Sequence, residues 1–197
     1  MYIFNESISL FKRSLFIIFV LYSFFISCAL AESPENLYVN DKYEFSIVWP
    51  KKWIKLREED YKNRIGQKEF AISYQKFEKS QTVMDLPVFG LFIEAPRSSA
   101  STALEIAWAV FHQWRHTEKE WRTVEGPAEL EVNGISGARF VWDKPAWDGN
   151  KKFWVRIVNI YLVREKYIVH FTLFCRPEEF QDNYQEIEKS LNTFRFI

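Results

Sequence analysis

The chain has 197 residues, 26 Lys and Arg against 26 Asp and Glu, and 48% hydrophobic residues. That length and apolar content suit one well-buried domain. The charge balance gives no electrostatic footprint for nucleic acid or an acidic membrane surface, so nucleic-acid binding is not expected.

Lys12 and Arg13 precede a run, Leu15 to Ile26, that is apolar except for Tyr22 and Ser23. Ala29, Leu30 and Ala31 follow, and Glu32 opens a polar stretch. Positive charge, apolar run and small-x-small site, in that order, define a secretory signal peptide over residues 1–31 and a domain over 32–197. The expected location is therefore outside the cytoplasm, periplasmic or secreted. Leu15 to Ala31 is shorter than the roughly 20 residues a membrane span takes. Two routes to a membrane tether stay open: an uncleaved signal, or a lipid on Cys28. Phe25, Ile26 and Ser27 fit a lipoprotein signal poorly, because Leu is usual three places before the cysteine. Cleavage after Ala31 leaves Cys175 without an internal disulfide partner, so the core must hold the domain. Cys175 lies in an apolar strand-like stretch, which suits a buried, inert thiol.

Tyr43, Phe45, Ile47 and Trp49 alternate with Glu44, Ser46 and Val48, predicting a strand that Pro50 ends. Trp53 to Leu56 is expected to continue the same sheet after a turn, and Arg57 to Lys68 reads as a loop. Phe70, Ile72 and Tyr74 mark another strand, and Val88 to Glu94 another. Thr102 and Glu105 have capping-box spacing for a helix running to about His116. Leu104, Ala107, Trp108 and Phe111 are its expected buried face. Leu130 and Val132 lead into Asn133-Gly134, a type I′ turn signal, and Ile135 to Trp142 returns. Asp143 to Lys152, with Pro145, Trp147 and Gly149, reads as a loop. Phe153 to Val163 and Tyr167 to Cys175 are apolar on both faces, as central strands covered on two sides would be. Pro177 starts a last helix with Phe180, Tyr184, Ile187 and Leu191 as its stripe. Thr193 to Ile197 closes as a strand or tail. The pattern is α+β: a single-domain α/β/α sandwich with a central antiparallel sheet and helices on both faces.

Three segments carry a family resemblance. Tyr43-Glu44-Phe45-Ser46-Ile47-Val48-Trp49-Pro50-Lys51-Lys52-Trp53 is similar to the opening strand, Y-x-F-x-I-x-x-P-x-x-W, of the PsbP/DcrB-like family of exported proteins and lipoproteins. Ile160-Tyr161-Leu162 through Tyr167-Ile168-Val169-His170-Phe171 resembles that family's central hairpin. Phe180 through Ile187 to Ser190-Leu191-Asn192-Thr193-Phe194 resembles its last helix and close. The resemblance covers most of residues 37–197. It implies a PsbP-like sheet between helices, and a mostly non-enzymatic role as accessory subunit, chaperone or adaptor. Nothing specifically matches photosystem-binding residues, so that role is not carried over.

Few residues suggest chemistry. His112 and His116, four apart on one helix face, could ligate a metal with Glu118 or Glu120 as a third ligand. Gln113 stands where the zinc-protease motif needs Glu. The alternative is a solvated helix face shared with Arg115 and Lys119. Gly134-Ile135-Ser136-Gly137 lacks the spacing and setting of a nucleophile elbow, with Ala138 in the last glycine's place. No phosphate-cradling glycine loop is present, and Glu58-Glu59-Asp60 reads as a solvated loop. His170 alternates with Ile168 and Thr172 on a central strand. With an even turn, Asn159 faces it from the neighbouring strand. Asn159, His170 and Thr172 would then form a polar patch, either lining a pocket or closing an internal hydrogen-bond set. Trp147 is either a contact for protein or sugar or a lid folded over the sheet.

The function expected is that of an exported, non-catalytic module that binds or helps assemble an envelope or membrane-associated protein. It is expected to be no enzyme and to need no cofactor. A small-ligand or carbohydrate binder using Trp147 and the His170 patch is the alternative. A metal-dependent hydrolase on His112 and His116 is the third reading.

Overall fold

A computed structural model describes residues 35–56, 70–76, 87–95 and 102–197. The chain divides into two units, Met1–Glu35 and Asn36–Ile197. The expectations for the signal segment, Cys28 and the stretches Arg57 to Lys68 and Glu58-Glu59-Asp60 fall outside the described residues.

In the second unit, β1 (Leu37–Asn40) and β2 (Phe45–Val48) pair with the closing strand β10 (Arg195–Phe196) in a three-stranded sheet. A seven-stranded sheet holds β3 (Trp53–Lys55), β4 (Phe70–Lys76), β5 (Val88–Glu94), β6 (Arg122–Val132), β7 (Ile135–Asp148), β8 (Lys151–Val163) and β9 (Ile168–Cys175). Its order is β3-β4-β5-β9-β8-β7-β6, and every pairing is antiparallel. The two predicted strands flanking Pro50 thus belong to different sheets. Lys52 takes φ 71°, a left-handed turn residue that redirects the chain between them.

Helix α1 (Ala103–Thr117) starts at the predicted capping box. Thr102 Oγ1 accepts from Glu105 N at 3.2 Å, and Thr102 N donates to Glu105 Oε2 at 2.7 Å. Its buried face keeps the expected Ala107 and Phe111, with Leu104 packed beside them, and departs at Trp108. Ala103, Ile106, Ala107, Val110 and Phe111 are buried, whereas Trp108 is 42% exposed. Apolar residues run almost round this helix, so spacing alone admits two neighbouring faces; the smaller Ile106 and Val110 fit against β7 and β8, and Trp108 turns out.

Helix α2 (Phe180–Leu191) follows a 3₁₀ turn over Pro177–Glu179. Ile187 and Leu191 join Phe45, Trp49, Phe89, Val158, Phe171 and Phe194 in one core. The α1 residues pack with Phe140, Trp142, Ile157 and Tyr161 in the other. These residues alternate along β7 and β8, so the helices cover opposite faces of the large sheet. The architecture is the expected α+β sandwich, with the small sheet added on the α2 side.

Asn133 (φ 48°) and Gly134 (φ 78°) are both left-handed, as a type I′ turn requires. Asn133 Nδ2 donates to Phe194 O at 3.0 Å, tying this hairpin to the chain's end. The segment Asp143 to Lys152 is not a loop. β7 runs on to Asp148, turns at Gly149 (φ 56°), and β8 returns from Lys151. The pairing continues through Pro145↔Trp154 and Trp147↔Lys152 to the tip. Of this segment's apolar side chains only Ala146 packs against a core, so the composition resembles a loop while the backbone ladder continues.

Candidate functional site

The polar patch on β8 and β9 forms, but in a different register. Four residues link β8 to β9, and the pairing sets Asn159 opposite Thr172 and Tyr161 opposite His170. His170 and Asn159 are therefore diagonal neighbours on the α1 side of the sheet rather than directly opposed. They still meet: His170 Nε2 lies 3.0 Å from Asn159 Oδ1. The other ring nitrogen, Nδ1, lies 2.8 Å from Glu94 Oε1 at the end of β5. The imidazole stacks on Tyr161 with centroids 4.4 Å apart. Asn159 and Thr172 are 5% and 4% exposed, and among the described residues Asn159 Nδ2 and Thr172 Oγ1 have no hydrogen-bond partner. Glu94 has no sequence signal as a partner, because only the β5–β9 register brings it there.

His112 and His116 lie on the exposed side of α1. The His112 ring stacks on Trp108, with centroids 5.4 Å apart. The acids considered as a third ligand turn elsewhere: Glu118 lies 3.9 Å from Lys144, and Glu120 pairs with Lys152. Among the described residues no group of three His, Cys, Asp or Glu side chains is placed to hold a metal ion.

Trp147 stands near the tip of the β7–β8 ribbon and is 50% exposed. Register places Trp147, Lys152, Pro145 and Trp154 on one face, with Arg122 of β6 opposite Asp143 on that same face. Lys152 Nζ lies 5.6 Å from both the Trp147 and Trp154 rings. The Arg122 guanidinium lies over the Trp154 ring, 3.7 Å from its centroid. Further down the face, Arg156 holds Asp143 and lies 5.1 Å from the Phe180 ring of α2. Alternating aromatic and cationic side chains stiffen a ribbon that would otherwise be a two-stranded projection. The sequence shows Trp147 as an unusual residue; the stacking of Arg122 and Lys152 depends on pairing across three strands.

Cys175 is buried on β9. Burial pushes its thiol up to about 12, despite the pull of nearby Arg156. It is protonated at neutral pH and a poor nucleophile.

No protein-family model and no curated protein matches the chain. Solved structures do match in fold. Cyanobacterial PsbP (CyanoP) from Synechocystis aligns with TM-score 0.54 at 9% identity, over 85% of this chain and 96% of that one. The Ran-binding protein Mog1p of Saccharomyces cerevisiae aligns with TM-score 0.50 at 14% identity, over 83% and 96%. A Pseudomonas aeruginosa protein of unknown function aligns with TM-score 0.50 at 11% identity, over 82% and 96%. The fold is PsbP-like.

Proposed function

We propose that this chain is an exported, non-catalytic module of the PsbP/DcrB-like kind that binds, or helps assemble, an envelope or membrane-associated protein. Residues 1–31 act as its signal peptide, and a lipid on Cys28 or an uncleaved signal is the alternative that would tether it. One observation carries the binding reading: the rigid ribbon presents Trp147 half exposed, away from both cores. Large aromatics held out on a stiff element supply contact area at low entropic cost. A fold shared with a Ran-binding protein is compatible with a protein-binding role. The sequence also lacks a nucleophile elbow and a zinc-protease motif.

A photo-crosslinking amino acid at position 147, in intact cell envelopes, tests this reading. The expected result is a discrete adduct with one protein, absent when the probe replaces exposed Gln181 on α2. Recovery of the uncrosslinked protein alone would overturn it. Mass spectrometry of the mature N-terminus tests export: a chain beginning at Glu32 supports cleavage, and a lipidated Cys28 replaces it with a tethered form.

A second reading, a small polar ligand at the Asn159, His170 and Thr172 strip, has one observation in its favour. Asn159 Nδ2 and Thr172 Oγ1 are buried polar atoms without partners among the described residues. Both are closed off from solvent, so a ligand could reach them only if the fold opens.

A further inference from the structure

We infer that the ribbon face recognises an acidic protein segment, with Arg122 as the carboxylate receptor and Trp147 as the contact for an adjacent apolar side chain; this rests on the binding reading above. The other cations on this face are already occupied by acids. Lys152 pairs with Glu120. Arg156 takes both oxygens of Asp143, the acid directly opposite Arg122. Arg122 is exposed and has no carboxylate partner among the described residues. Its guanidinium carbon lies 3.7 Å from the Trp154 ring centroid.

Stacking fixes the guanidinium plane while leaving its edge of N–H donors free. A planar fork held in this way matches a carboxylate bidentately, and its ordering entropy is already lost before binding. Trp147 lies beyond Lys152 on the same face, so an acidic residue on Arg122 would bring its neighbour towards an exposed indole. An anionic bilayer is the less fitting occupant. Polybasic segments hold membranes by a dense positive field, whereas here two of the three cations on this face are matched by acids.

The test titrates the full chain with the capped peptide Gly-Glu-Phe-Gly and with Gly-Gln-Phe-Gly, following the indole N–H signals of Trp147 and Trp154 by NMR. The Glu peptide should shift both signals and bind at least about tenfold more tightly than the Gln peptide. Arg122→Gln should abolish that preference, and Arg122→Lys should lose most of it although the charge remains. Arg122 is exposed, and an unchanged Tm confirms that each variant folds. Equal binding of the two peptides, an Arg122→Lys variant that binds like wild type, or no shift at about 10 mM peptide would overturn the inference. So would binding to phosphatidylglycerol vesicles without binding to the peptide, which would assign the face to a membrane. If the position-147 crosslink persists in Arg122→Gln at wild-type yield, carboxylate recognition fails while the binding reading stands.

Discussion

Arg156 and Asp143 form a two-pronged pair at the root of the ribbon: Nε donates to Oδ1 at 2.8 Å, and Nη2 donates to Oδ2 at 3.0 Å. The side chains are only 19% and 10% exposed, and the hydrogen bonds donated to Asp143 raise the guanidinium above its ordinary range. Arg156 also lies over Phe180, so the pair couples the ribbon to the start of α2. Asp143→Asn leaves a largely buried guanidinium without its counter-charge. The expected loss is about 2–3 kcal/mol, towards the low end for a broken buried pair because some solvent reaches it. Urea unfolding checks this; a loss within error of zero would show that the pair is no anchor.

His170 links β5, β9 and β8 through Glu94 and Asn159. His170→Ala removes both hydrogen bonds and the stacking on Tyr161, and leaves Glu94 and Asn159 with one fewer partner each. A destabilisation of about 2–3 kcal/mol is expected, with the position-147 crosslink unchanged. Loss of the crosslink in a variant that keeps its wild-type Tm would instead place the strip in the binding machinery.

Much of this fold is legible in the residues. Thr102 and Glu105 announce a helix start through local hydrogen bonding, and Asn133-Gly134 announces its turn through backbone sterics. The doubly apolar stretches mark β8 and β9 as covered on both faces, where they lie. What escapes is set by longer-range pairing. Beyond Asp143 only the α1-side residues Ala146, Phe153 and Val155 reach a core, and the segment between them reads as a loop. β6 also runs back past Leu130 to Arg122 and absorbs Gly126 and Pro127 in irregular register between Thr123 and Ala128. The His170 patch is anticipated in composition, yet its geometry depends on a register that a four-residue turn shifts to the diagonal. Arg122 and Glu94, the partners that give the two sites their chemistry, are distant in sequence from the residues they touch.

Two glycines on neighbouring strands should respond in opposite ways to a methyl group. A Cβ on Gly137 would lie 2.6 Å from Leu162 Cδ2 and 2.8 Å from the Tyr161 carbonyl oxygen. The leucine end can rotate, but the backbone oxygen of β8 cannot move without disturbing the ladder. Gly137→Ala should cost about 2 kcal/mol or more. A Cβ on Gly126 meets nothing within 4 Å. Gly126→Ala should be neutral or stabilise by up to about 1 kcal/mol, by restricting the unfolded chain. Thermal unfolding of both variants checks the pair; equal effects would contradict the packing.

Burial pushes the Cys175 thiol up to about 12, so thiolate is scarce at pH 8 in the folded protein. Iodoacetamide should label it only through unfolding, at a rate that rises with urea as the unfolded fraction does. Rapid labelling under native conditions would contradict its burial.

Glu186 on α2 accepts from Trp53 Nε1 at 2.8 Å and from Lys76 Nζ at 2.8 Å, clasping the helix to β3 and β4. Burial alone would raise its carboxyl, but the hydrogen bonds from Lys76 and Trp53 outweigh this and hold it below the ordinary range. A carboxyl lowered in the folded state stabilises fully above the unfolded value, about 4.3, and loses that contribution as pH falls through the lower folded value. Glu186 is 37% exposed, so solvent screening limits the effect to about 1 kcal/mol. Glu186→Gln should therefore be less stable than wild type at pH 7, and the gap should close as pH falls below about 4. Urea midpoints measured from pH 7 to pH 3 check the sign: a gap that stays constant would show that Glu186 acts through packing alone, and one that widens in acid would reverse the assignment.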